Sequence, residues 1–191
     1  MTDARAIAQD EIAYCEKILA KSASNVLLET LRDAPEVTAW DHYPLGDVYD
    51  PETGAQWYYH CHDPSSDAAE HGHFHCFVRP QGADGPVHHL AAIGVDPYGR
   101  LLRIFTVNHW VVGDDWLDAE PSIELLAKFD VQLARPSYLV NRWLTAIFVR
   151  YESEIAELLR QRDSVIAGHG GGQIEANRAD RSLEVTAEFR P

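Results

Sequence analysis

Tyr58-Tyr59-His60-Cys61-His62 and, after a short polar gap, Glu70-His71-Gly72-His73-Phe74-His75-Cys76-Phe77 form the stretch on which the fold of this chain turns. In a strand, successive side chains point to opposite faces, so His-x-His puts its imidazoles on one side and the intervening residue on the other. Two such strands joined by one loop bring four histidines together, and seven of the ten histidines fall between residues 60 and 89. Pairing His62 with His73 sets His60 opposite His75 and Tyr58 opposite Phe77, with opposed β-carbons about 4.5–5.5 Å apart. A slip of one residue carries His73 and His75 to the other face. The connection from Asp63 to Gly72 does not fix the register, so convergence of the histidines is an expectation for the structure to decide.

The surrounding pattern supplies a sheet for these two strands. Residues 55–62 and 73–79 are rich in aromatics, and a second pair at 87–96 and 100–112 is joined by the turn Asp96-Pro97-Tyr98-Gly99. Together, residues 55–112 predict an antiparallel sheet of four strands or more. Upstream, 1–32 predict a helical pair: Ile7, Ile12, Cys15, Ile18 and Leu19 form a stripe, and Ser24 caps a second segment carrying Val26, Leu27, Leu28 and Leu31. Pro44, Gly46, Pro51 and Gly54 make 33–54 an ordered loop. Residues 120–168 predict helices: Glu120-Pro121-Ser122 opens a short one, and Ser137 caps a long one running to about Ala167 and stopped by Gly168. Beyond the hinge Gly170-Gly171-Gly172, Leu183, Val185, Ala187 and Phe189 alternate with polar residues, as an added strand or an oligomer contact would. The expected fold is α+β: one domain over 1–191, with the sheet covered by the long C-terminal helix.

Composition narrows the partners. The chain has 191 residues, 46% of them hydrophobic, enough for one domain with a sizeable core. A formal charge of -14 argues against a phosphate-backbone partner or an anionic membrane face and leaves small molecules, cations or protein partners, including a homo-oligomer. Met1-Thr2-Asp3-Ala4-Arg5 opens no leader pattern, and no run approaches the ~20 apolar residues of a spanning helix, so a cytoplasmic protein is expected. Cys15, Cys61 and Cys76 are an odd number without framework spacing, which suits a reducing compartment; Cys61 and Cys76 alternate with the histidines and belong to the core.

His60, His62, His73 and His75 are the candidate metal ligands, an imidazole set that zinc, iron and copper all accept. Asp63, Asp67 and Glu70 in the connection offer an oxygen ligand, a hydrogen bond to a ligand histidine, or a general base. Zinc would bring the pKa of a bound water near neutrality, with Glu70 or Asp63 as the base; iron or copper would open oxygen chemistry instead. Taken singly, His42, His88, His89 and His109 read as packing or surface residues, Asp114 and Asp115 as a solvated turn or an extension of the site beside a cleft, and Arg79, Arg100 and Arg103 as edge charges or, less simply, as partners of a substrate carboxylate.

His71-Gly72-His73-Phe74-His75-Cys76-Phe77-Val78-Arg79-Pro80 resembles the histidine-triad motif of nucleotide hydrolases and transferases, departing from it at Gly72. That resemblance implies His73 as nucleophile on an α-phosphate, with His71 and His75 binding or orienting, and activity that survives chelation. The wider stretch from Asp41-His42-Tyr43-Pro44 through His75 is similar to an uncharacterised bacterial family known only as a domain of unknown function, which supports a single domain and brings no mechanism. A third reading, a non-catalytic assembly module, takes the histidines as packing or as a pH-responsive cluster and the tail 173–191 as the contact.

Overall fold

The computed structural model describes residues 3–65, 68–171 and 173–191. Six strands form one antiparallel sheet in sequence order: β1 (Tyr43–Tyr49), β2 (Ala55–His60), β3 (Gly72–Val78), β4 (His88–Val95), β5 (Leu101–Val107) and β6 (Val185–Phe189). Helices α1 (Ala4–Lys21) and α2 (Val26–Leu31) precede the sheet, and α3 (His109–Val112), α4 (Ala119–Glu124), α5 (Tyr138–Arg150), α6 (Glu152–Gly168) and α7 (Ile174–Ala179) lie between β5 and β6. The architecture is α+β, as the periodicities predict, and no helix among the described residues is long and apolar enough to cross a membrane.

Alternation divides the sheet into two faces. Trp57, Tyr59, Phe74, Cys76, Ile93 and Ile104 form the main core with Trp143, Leu144 and Ile147 of α5 and with Ala8, Ile12, Cys15 and Leu19 of α1. Burying each large apolar side chain stabilises by roughly 1.5–3 kcal/mol. A polar link crosses this core between sheet and helix: the Trp57 indole N–H donates to Asn141 Oδ1 at 3.0 Å, and Asn141 Nδ2 donates to the carbonyls of Leu133 and Arg135. It fixes α5 over β2 and leaves the opposite face for Tyr58, His60, His73 and His75.

Four local expectations are corrected. The strand read over 100–112 stops at Val107, where the Asn108 side chain accepts from the His109 N–H and caps α3. Residues 33–54 are not all loop: Tyr43–Tyr49 is an edge strand, where Pro44 needs no ladder partner and where Gly46 and Asp47 take positive φ across an irregular register. The long helix is two helices, because α5 packs on α1 while α6 packs on α4 and β6, and the chain re-aims at Tyr151 between them. Arg5 bridges the break, its Nε donating to the Arg150 carbonyl and its Nη2 to Glu154 at 2.6 Å. Helix α2 is capped by Asn25, whose side chain accepts from Leu28 N–H, while Ser24 donates to Glu29. The tail does add a strand, β6 beside β5; Gly172 of the hinge lies outside the described residues.

Candidate metal centre

The register that decides the histidines is two residues from the expected one. His60 opposes His73 and Tyr58 opposes His75, where His60 had been paired with His75. A shift of two preserves parity, so His60, His73 and His75 share the face turned away from the main core. His62 lies two residues past the end of β2, on the same side, with an exposed ring.

Nε2 of His60 and Nε2 of His73 are 2.8 Å apart. Among the described residues, His60, His62 and His73 each offer a ring nitrogen, and the three lie within 4.8 Å of one another. His75 is not in that trio, although its ring centroid is 4.8 Å from that of His73 and 5.1 Å from that of His60. It is fully buried; its Nδ1 is 3.1 Å from Nε2 of His89, and its Nε2 has no partner among the described residues. A buried nitrogen without a partner carries its full desolvation cost, which a metal, a water or a substrate atom would remove.

Glu70 governs the protonation pattern. Its Oε1 accepts from Nδ1 of His73 at 3.0 Å, and Arg103 donates to both of its oxygens. With Nδ1 carrying the proton, a neutral His73 presents a lone pair at Nε2, and the shared hydrogen in the short contact belongs to His60. A carboxylate that fixes the far nitrogen of a histidine is the usual support of a metal-ligating imidazole. The small residues of β4 make room for it: a β-carbon at Gly94 would lie 2.5 Å from Glu70 Oε2, and Ala92 follows on the same face beside Phe105. Gly72 is required by a second close approach, since a β-carbon there would meet the His60 carbonyl and the Tyr59 hydroxyl.

Burial holds the cluster neutral. Desolvation first, then the like charges of His73, His62 and His42, pull His60 down to about 3. Burial likewise lowers His75 well below the ordinary value and His89 to about 3, Arg162 and His73 adding to the latter. His62 falls in the same direction by burial and its neighbour His73. For Glu70 burial acts upward, but the hydrogen bonds from His73 and Arg103 outweigh it and hold the carboxyl at about 2. Neutral imidazole is the form that binds a metal, and burial favours it at His60, His62, His75 and His89.

The remaining candidates fall elsewhere. Asp63 is exposed and accepts from the backbone and hydroxyl of Ser65, in its own turn. Asp67 lies outside the described residues. Glu70, considered as a general base, is already engaged on both oxygens. His71 turns to the core face, its Nδ1 2.6 Å from the Tyr59 hydroxyl, so the three histidines of the triad-like motif do not converge. His42 stacks on Tyr58 at 3.6 Å between centroids, and His88 and His109 bond to the backbone carbonyls of Asp115 and Asp114.

Three site residues escaped the sequence reading as functional groups. His89 reaches the histidine face because β4 is irregular: Cys76 opposes Ala91 but Phe77 opposes His89, which reverses parity beyond Leu90. Asp114 is no solvated turn, since its Oδ2 accepts from the His89 amide at 2.8 Å and burial raises its carboxyl. Arg103 is no free edge charge; the signal for it was its place two residues before Phe105, on the same face of β5.

No curated protein and no solved structure matches the chain. A family model does, over residues 6–190, described as a domain of unknown function, DUF6969. With nearly its whole length matched, the chain belongs to the DUF6969 family.

Proposed function

We propose that this protein binds a transition metal through His60, His62 and His73 and uses it on a small-molecule substrate. The observation that carries the reading is the meeting of two imidazole Nε2 atoms at 2.8 Å, one of them oriented by a buried carboxylate, with a third imidazole in reach. In tetrahedral coordination with metal–nitrogen bonds of about 2.0–2.1 Å, two ligand nitrogens stand ~3.3 Å apart, so the pair need open by only ~0.5 Å. Three imidazole nitrogens suit zinc, iron or copper, and such an ion with an open position would act as a Lewis acid or an oxygen-activating centre. His75, with its unpaired Nε2 beside the trio, is placed to complete the coordination or to bond whatever occupies the open position. Glu70 serves as the orienting group of His73 rather than as a base, because a carboxyl held at about 2 is a weak proton acceptor at neutral pH.

The Glu70–His73 pair also suits the alternative in which His73 is a nucleophile or base without metal. Phosphate chemistry needs cationic groups, however, and the nearby Arg103 is already bonded to Glu70 and Glu188. The test is metal content by plasma mass spectrometry on tag-free protein, beside a His60→Ala/His73→Ala double variant. Near-stoichiometric metal that is lost in the folded double variant is expected. Wild-type protein that fails to take up zinc, iron or copper at micromolar concentration would sink the reading and move attention to chelator-resistant nucleotide hydrolysis dependent on His73.

A further inference from the structure

His62 is the ligand that the sheet does not hold. Strand β2 ends at His60, and among the described residues the His62 ring makes no hydrogen bond to protein. It packs instead against Trp40, 4.1 Å between ring centroids and 21° between planes, a flat stack. The edges of His60 and His73 meet it at 5.3 and 5.2 Å. The Trp40 backbone N–H donates to the Cys61 carbonyl at 2.9 Å, which ties the indole to the residue between the two histidines. The same indole touches His60 edge-on at 5.8 Å.

Neither its solvation nor its backbone preference accounts for Trp40 in this place. The residue is 62% exposed, an unfavourable setting for the largest aromatic side chain. Its φ is +71°, in the left-handed region that a bulky L-residue occupies at a cost in free energy. Strain of this kind persists where surrounding contacts over-determine it, and such outliers gather at functional sites. The contacts that fix Trp40 are the bond to Cys61 and the stack on His62.

We propose that Trp40 is a positioning residue: its indole holds the His62 imidazole beside Nε2 of His60 and His73, turning a two-histidine pair into a three-ligand site. This rests on the metal reading above. Through the stack, the ring of a residue beyond the strand is ordered before a metal arrives, so less conformational freedom is lost on binding.

The test uses full-length protein with zinc and cobalt(II) as probes, comparing Trp40→Ala, Trp40→Gly, His62→Ala and the Trp40→Ala/His62→Ala double variant. Trp40→Ala should bind zinc about 10–100-fold more weakly in competition with a chromophoric chelator, the range found when groups that orient metal ligands are removed. The visible bands of its cobalt(II) form should weaken as water takes the place of His62. Trp40→Gly relaxes the backbone strain while removing the indole; a merely structural tryptophan would there recover wild-type affinity, whereas a positioning role gives the same loss. In the His62→Ala background, the Trp40→Ala change should have no further effect. In metal-free protein, proton NMR should show the His62 ring signals displaced upfield by the indole and returned in Trp40→Ala. Wild-type zinc affinity in both Trp40 variants, or an undiminished loss without His62, overturns the proposal while leaving the metal site standing. Wild-type protein that takes up neither ion overturns both.

Discussion

Gly94→Ala is the change whose consequence follows most directly from the geometry. A β-carbon at residue 94 would lie 2.5 Å from Glu70 Oε2 and 3.0 Å from Arg103 Cγ, where ordinary contact begins at 3.4 Å. The carboxylate must therefore retreat by 3.4 − 2.5 = 0.9 Å. The oxygen displaced, Oε2, accepts from Arg103 Nε, and the same carboxylate holds Nδ1 of His73 through Oε1 at 3.0 Å, so its retreat strains both bonds. Losing a charge-assisted bond in a partly buried site costs about 1.5–3 kcal/mol. The alanine returns about 0.4–1 kcal/mol by restricting the unfolded chain, because Gly94 is not at positive φ. The net expectation is a loss of roughly 1–2 kcal/mol in urea denaturation of metal-free protein, together with zinc binding about 10–100-fold weaker as His73 loses its orienting partner. The decisive control is a Glu70→Ala background, which removes the nearer clash and leaves only the 3.0 Å approach to Arg103 Cγ: there the penalty of Gly94→Ala should fall below about 1 kcal/mol. Wild-type stability and zinc affinity in Gly94→Ala, or a penalty that persists undiminished without Glu70, would refute the account of β4 as the strand that makes room for Glu70.

Two further outcomes are expected. His60 and His89 have folded values of about 3, below the ~6.5 of an unfolded chain, so between those values the unfolded state binds more protons and stability falls as pH falls. At pH 5 each contributes a loss of roughly 2 kcal/mol relative to its fully neutral state; Glu70, at about 2, contributes only below the ordinary carboxyl range. Urea titrations of the chelated protein at pH 7 and pH 5 read this window, and a difference under about 1 kcal/mol would contradict a buried neutral cluster. In the core, Asn141→Leu leaves the Trp57 N–H and the Leu133 and Arg135 carbonyls without the amide that now satisfies them. A loss of at least ~3 kcal/mol is expected, visible as a large fall in melting temperature, and a near-neutral result would show that water reaches these groups.

How much of this was legible in the sequence depends on what physical signal each feature leaves. The sheet was, because aromatic and β-branched alternation between turn residues has few other solutions, and the longer helices likewise from their apolar stripes, whereas the short helices His109–Val112 and Ile174–Ala179 carry no such stripe. The break at Tyr151 was not: residues 138–167 contain neither proline nor glycine, and the two halves part only because they bury different partners. Edge strand β1 was hidden behind Pro44, Gly46 and Asp47, the composition of a loop, which an edge tolerates.

The site itself shows where periodicity stops informing. An error of two residues in the register cost nothing for His60, His73 and His75, since period two makes every even shift equivalent for which face a side chain takes. Which histidines touch, however, depends on the register itself: His73 meets His60, and His75 is left opposite Tyr58 and Ala92, its Nδ1 reaching His89 and its Nε2 unpaired among the described residues. His89 lay beyond periodicity altogether, because a single irregularity at Leu90 inverts the parity of the rest of β4. Trp40 and His62 meet through a positive φ and a contact outside any regular element, for which no sequence period exists. A strand pattern therefore locates the face on which chemistry can occur, while the number of candidate ligands that meet on it is set by irregular backbone at the strand ends. The His60–His73 contact is accordingly the part of the candidate centre that β2 and β3 fix, and a third ligand at His62, as proposed, would turn on an indole that local sequence gives no reason to notice.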